Sequence, residues 1–151
     1  MKTLIIHHLE TMWEYGYKKF GTTFSDIAEK IVCYLEESCY DRVILTRFED
    51  DSFEDEHFDT GLVHYIGEIY DYAYGWHRDS LDLEDDSKLP DDFTEGGYHS
   101  DIVYVPDWVK SLKTHQVSLC GAFDGECIED MEIALTAAEV KFERLNALIV
   151  G

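Results

Sequence analysis

The stretch Val117-Ser118-Leu119-Cys120-Gly121-Ala122-Phe123-Asp124-Gly125-Glu126-Cys127-Ile128 passes from an apolar run, through a glycine, to a cysteine. Residues 117–120 read as a buried strand that Gly121 ends. Beyond it, Ile128, Met131, Leu135, Ala138 and Phe142 step by 3, 4, 3 and 4, which is the period of one helix face. Cys127 therefore stands at the opening of a helix. Amide groups there point at the sulfur, favour the thiolate and can hold a developing oxyanion. Asp124, Glu126 and Glu129 oppose this by like-charge repulsion. With no lysine firmly placed to compensate, the acids are expected to prevail and the thiol to stay protonated at neutral pH.

The same alternation continues on the N-terminal side. Residues 3–6 and 43–46 are short apolar runs and read as the first two strands. Between them, Phe24, Ile27, Ala28, Ile31, Val32 and Leu35 share a helical face, with Thr22 or Thr23 as the cap. Residues 102–105 give a third strand, stopped by Pro106, and residues 107–112 a short helix. Residues 147–150 give a fifth strand. Residues 62–76 are rich in tyrosine. Leu62, Ile66, Ile69 and Ala73 share a face and favour a helix, while the tyrosine density leaves a strand open. Continuous apolar strands alternating with helices indicate a mainly parallel sheet covered on both faces. The expected fold is a single α/β domain over residues 1–151: a three-layer α/β/α sandwich of about five strands, Rossmann-like, with strand one central.

Charge narrows the partners. The 151 residues hold 33 acids and 12 bases, a formal net charge of −21. Such a chain is repelled by nucleic-acid phosphate and by anionic membranes, so neither is an expected direct partner. A basic protein is one, through the acidic stretches 49–59 and 79–95, which hold seven and eight acids and read as exposed loops. Leu4-Ile5-Ile6 before His7-His8 is too short for a signal peptide's apolar region. The reading is cytoplasmic, with Cys33, Cys39, Cys120 and Cys127 as thiols. Cys33, on the first helix's stripe, and Cys120, in a strand, are expected in the core.

In a parallel sheet, ligands bind beyond the carboxyl ends of the strands, near the point where strand order reverses. That places His7, His8 and Glu10 after strand one. Arg47, Glu49 and Asp50 follow strand two, and Gly121, Asp124, Glu126 and Cys127 follow strand four. A small-molecule ligand there would meet Arg47, Glu49, Gly121 and Asp124. A histidine could serve as base toward Cys127, or bind a metal with Glu10 or Glu49. Adjacent strand residues face opposite ways, so only one of His7 and His8 is expected to enter the site. Asp50, Asp51, Asp55 and His57 do not form a spacing that specifies a metal. No metal and no cofactor is implied.

The segment 117–128 resembles the signature of the isochorismatase-like cysteine hydrolases, which include nicotinamidases. That signature is an apolar run, Gly, two residues, Thr-Asp, one residue, then Cys-Val and an alanine-rich helix. Gly121 and Cys127 match in type and spacing, Ile128 stands for the Val, and Ala134, Ala137 and Ala138 supply the small residues. Val43-Ile44-Leu45-Thr46-Arg47 is similar to the family's second strand, which ends in Thr-Arg. Trp108-Val109-Lys110-Ser111-Leu112 is similar to the helix before the signature strand. The resemblance implies Cys127 as nucleophile, and it implies self-association, which −21 per chain opposes at low salt. The pattern departs from the family at several points. His7 occupies the place of the general-base Asp, Asp124-Gly125 replaces Thr-Asp, and Phe48 with Glu49 replaces the Asp after Thr-Arg. Lys88, before Phe93, is only loosely like the catalytic Lys.

Two functions follow. One is an isochorismatase-like scaffold without catalysis, acting as an acidic protein-binding module. The other is a hydrolase of a small amide or vinyl ether, with Cys127 as nucleophile or acid and His7 as a substitute base. The departures favour the first.

Overall fold

In the computed structural model, residues 1–46, 70–73, 93–95, 102–105 and 107–151 are described. The first strand, β1 (Lys2–His7), is buried from Thr3 onward. A short 3-10 turn (Thr11–Trp13) leads into α1 (Glu14–Lys19). The longer α2 (Phe24–Glu36) starts where the Thr23 hydroxyl accepts a hydrogen bond from the Asp26 amide at 3.1 Å. A cap of this kind is worth about 1 kcal/mol. Strand β2 (Arg42–Thr46) follows, then β3 (Tyr70–Ala73), β4 (Phe93–Glu95) and β5 (Ile102–Tyr104). Helix α3 (Asp107–Lys110) runs into a 3-10 turn and then β6 (Gln116–Ala122). Helix α4 (Cys127–Ala137) and β7 (Phe142–Val150) complete the order.

The fold is α/β around a parallel sheet. Strand order is β3-β2-β1-β6-β7, with every neighbouring pair parallel. β1 is central, as the sequence reading expects. The chain leaves it toward β2 on one side and returns at β6 on the other, so strand order reverses between β1 and β6.

Alternation along the strands divides the buried residues into two clusters. Leu4, Ile6, Val43, Leu45 and Cys120 pack with Ile27, Ala28, Ile31 and Leu35 of α2. Ile5, Ile44, Val117 and Leu119 pack with Ile128, Met131 and Leu135 of α4, and with Val109 and Leu112. No helix among the described residues is long and apolar enough to cross a membrane.

Several expectations are corrected. Residues 102–105 were expected in the main sheet. Instead β5 pairs antiparallel with β4 in a separate two-stranded sheet. A short apolar run marks a strand but does not name its partner. β4 also ends the acidic stretch 79–95, so that stretch is not loop throughout; residues 79–92 and 49–59 lie outside the described residues. The helix favoured over residues 62–76 is overturned at its centre, where Tyr70–Ala73 pairs with Val43–Thr46. The rest of that segment lies outside the described residues. Phe142 belongs to β7, because α4 stops at Ala137. Cys33 is exposed: the buried stripe runs through Phe24, Ile27, Ala28, Ile31 and Leu35, and two residues past Ile31 is the far side of a helix. Residues 14–19 carried no sequence reading and form α1.

β7 starts earlier than residue 147 because it carries an irregularity. Leu119 pairs with Arg144 and Gly121 with Ile149, five positions on β7 against two on β6. The extra residues bow out, leaving Asn146 and Ala147 exposed.

Burial sets an alkaline limit. The Cys120 thiol, fully buried, is pushed above its ordinary value of 9.0 by loss of solvent. The Tyr17 hydroxyl is pushed above 10.0 mainly by the same cause. Both raised groups hold their protons in the fold, so their contribution is complete below the unfolded values. It is lost as pH rises, from about 9 for the thiol and about 10 for the phenol, at up to about 1.4 kcal/mol per pH unit for each group. Urea midpoints are therefore expected to be level through neutral pH and to fall above about pH 9. Cys120→Ala should remove the part of the fall that begins near pH 9.

Candidate functional site

The site sits where strand order reverses. His7 is the last residue of β1 and is paired in register with Thr46 on one side and Gly121 on the other. The β1–β6 approach there is too close for a side chain. A Cβ at Gly121 would lie 2.1 Å from the His7 carbonyl oxygen and 2.7 Å from its nitrogen, and the backbone has φ +122°. Both conditions demand glycine. The strand passes through this glycine and ends at Ala122, a residue pair later than the sequence suggests.

The ring of His7 is held by Thr46. Its Nδ1 lies 2.6 Å from Thr46 Oγ1 in a fully buried contact, either atom donating according to tautomer. The His8 amide donates to the Thr46 carbonyl and hydroxyl oxygens, each at 3.2 Å. The rings of His7 and His8 are stacked, with centroids 3.9 Å apart and 19° between planes. This corrects the expectation that only one of them faces the site. Alternation applies inside a strand, whereas His8 lies past its end with φ +53°, which swings its ring over its neighbour.

Glu10 is fully buried beyond the same strand end. Its carboxylate accepts from Trp13 Nε1 at 2.9 Å. The Tyr17 hydroxyl accepts from the Glu10 amide at 3.0 Å and donates to its carbonyl at 2.7 Å. Thr46, Trp13 and Tyr17 were not read as site residues. Thr46 reads as the last residue of an apolar run, and nothing in the spacing of Trp13 or Tyr17 announces a fold back to residue 10.

The turn from β6 to α4 is anchored at both ends. Phe123 follows a cis peptide bond from Ala122 and packs over Gly16, where a Cβ would come within 2.6 Å of its ring. Its centroid lies 5.3 Å from that of Tyr17 and 5.8 Å from that of Phe20. Asp124 is tied to β7: its amide donates to the Val150 carbonyl at 2.8 Å, and its carboxylate accepts from Arg144 Nη2 at 2.9 Å. Arg144 Nη1 reaches Glu132 of α4 at 2.5 Å. Burial pushes the Glu132 carboxyl up, and the guanidinium opposes that shift.

Cys127 is half-buried and is the first residue of α4, as its spacing predicts. Helix amides at that end can stabilise a thiolate or an oxyanion. Among the sequence-predicted residues, the structure brings His7 and Gly121 into register and puts Asp124 on Arg144. Arg47 and Glu49 lie outside the described residues, as do Asp50, Asp51, Asp55, His57 and Lys88. Among the described residues no group of three or more His, Cys, Asp or Glu could hold a metal ion. No protein-family model, curated protein or solved structure matches the chain.

The close approach at Gly121 separates two glycines that look alike in sequence. Gly125 also has positive φ, +75°, but has nothing within 4 Å of a built Cβ. Gly125→Ala is expected to cost about 1 kcal/mol of strain. Gly121→Ala adds backbone collision to strain and should cost about 3 kcal/mol or more. Urea unfolding of the two variants side by side checks the contrast.

Proposed function

We propose that the chain is an isochorismatase-like scaffold that lacks catalysis and acts in the cytoplasm as an acidic protein-binding module for a basic partner. In this reading the whole chain is one domain, a three-layer α/β/α sandwich with a mainly parallel sheet of about five strands. The observation that carries it is the Asp124–Arg144 ion pair. Asp124 is the aspartate closest in sequence before Cys127, and its carboxylate is engaged with Arg144 of β7. His7, in the sequence position where the resembling hydrolases have their base, is the last residue of β1, and its Nδ1 is bound to Thr46. The resembling hydrolases pair their cysteine with an Asp base and a Lys, and this chain has His7 and Asp124-Gly125 where that pattern has other residues, which supports a scaffold without catalysis. The charge of −21 supports a basic partner, found by long-range attraction.

One observation favours the second reading, a cysteine-dependent hydrolase of a small amide or vinyl ether. Cys127 opens a helix of 11 residues, the placement a thiolate nucleophile uses. On an amide the sulfur attacks the carbonyl, His7 takes the thiol proton and returns it to the leaving amine, and water then releases the acyl group; on a vinyl ether Cys127 acts instead as the acid, protonating the β-carbon so that water adds to the resulting oxocarbenium carbon and the hemiacetal collapses to carbonyl and alcohol.

Nicotinamide and a simple vinyl ether serve as probes, with thiol alkylation followed against pH in the wild type and in Cys127→Ser. The scaffold reading expects equal, background-level turnover in the two proteins. It also expects Cys127 alkylation that climbs only above neutral pH. Turnover lost in Cys127→Ser, with alkylation already saturated below neutral pH, would establish the hydrolase instead.

A further inference from the structure

We propose that the groove between α2 and β7 binds a basic, apolar peptide segment in extended form. The proposal rests on the protein-binding reading and gives it a surface among the described residues. The groove has a volume of about 790 Å³. Its floor is apolar, made by Ile27 of α2 and by Ala147, Ile149 and Val150 of β7. Ile27 and Val150 are buried, whereas Ala147 is exposed where β7 bows out. Phe20 lies at the end near the start of α2 and is 48% exposed, an apolar surface that a partner could cover.

The rim supplies the charge. Asp26, Lys30 and Cys33 of α2, and Glu37 just after its last residue, recur at helical spacing and line the groove together with Glu29. Three carboxylates face one ammonium there, on a chain whose net charge is −21. A lysine- or arginine-bearing segment complements that rim, and alternate apolar side chains complement the floor. A second copy of this acidic chain does not. Length fits as well: the 13 residues of α2 span ~20 Å, the reach of an extended segment of about six residues.

Two cysteines make the test internal. Cys33 lines the groove, Cys39 does not, and both are exposed. The probe is a capped peptide of alternating lysine and leucine, about six residues long, with an alternating glutamate and leucine peptide as the counter-probe. Affinity is read by fluorescence anisotropy at low salt, and alkylation of each cysteine by mass spectrometry. The basic peptide is expected to slow Cys33 severalfold and leave Cys39 unchanged, and the acidic peptide to do neither. The double variant Glu29→Gln, Glu37→Gln should weaken binding roughly fivefold, from two partly exposed charges. Glu36→Gln, on the same helix and outside the groove, should change it less than about twofold. Ala147→Trp, which fills the exposed part of the floor, should abolish the protection of Cys33. Binding that spares Cys33, or slows both cysteines alike, would overturn the groove while leaving the acidic-module reading standing. No binding of the basic peptide to the wild type would remove both. Protection of Cys33 that grows with protein concentration alone would put a second copy in the groove and overturn the proposal.

Discussion

At residue 121 a single methyl group would need the space that the His7 backbone fills. That exclusion lets β1 and β6 lie in register from Lys2–Gln116 to His7–Gly121. Much of the site follows from it. With its carbonyl against Gly121, His7 ends β1 at a fixed height. Its ring meets Thr46 across β2, and the chain turns at His8 through a left-handed residue. Only after that turn does Glu10 come under the Tyr17 hydroxyl. A bulkier residue at 121 would part the two central strands at the height of His7, displacing the contacts that follow from it.

α2 serves two environments at once. Its buried stripe closes one face of the sheet, through Ile31 and Leu35 against Leu4, Ile6 and Val43. Its flank carries Asp26 and Lys30, and its cap Glu37, toward solvent beside β7. The bowed segment of β7 keeps that flank uncovered at Ala147. On the opposite face, α4 brings Ile128, Met131 and Leu135 onto Ile5 and Leu119, and this packing fixes where the first turn of α4, and so Cys127, begins.

The parts of the fold that were legible are those with local periodic signals. Residues 3–6, 43–46 and 117–120 are apolar runs that only a doubly covered strand explains. The stripe from Phe24 to Leu35 has one helical period. The placement of Cys127 at a helix start followed from Gly121 and the step pattern after Ile128. What was not legible depends on pairing at a distance. The partner of Ile102–Tyr104 is Phe93–Glu95, inside a stretch whose acids dominate its composition. Tyr70–Ala73 carries aromatic residues that suit strand and helix alike. In the site, the sequence positions of His7 and Gly121 near the strand ends were legible, although β6 runs through Gly121 to Ala122. Their contacts were not, because the stacking of His8 and the hold of Thr46 arise from backbone angles and strand register. Cys33 shows the limit of reading a helical stripe too broadly: two residues from both Ile31 and Leu35, a cysteine reaches solvent.

The central pairing also governs how the chain can reach this state. Lys2, at the start of β1, meets Gln116 at the start of β6, so the sheet's middle seam joins residues from opposite ends of the sequence. β1 can pair with β2 after a connection that carries α1 and α2, but its other edge must wait for a distant segment. Closing so long a loop delays the reward of that seam and lengthens folding. During synthesis, β1 and β2 emerge with one edge of β1 unpaired, an open template for strands of other chains. The dense negative charge of the intervening chain then acts as a kinetic guard, because copies carrying it repel one another while the seam is still open.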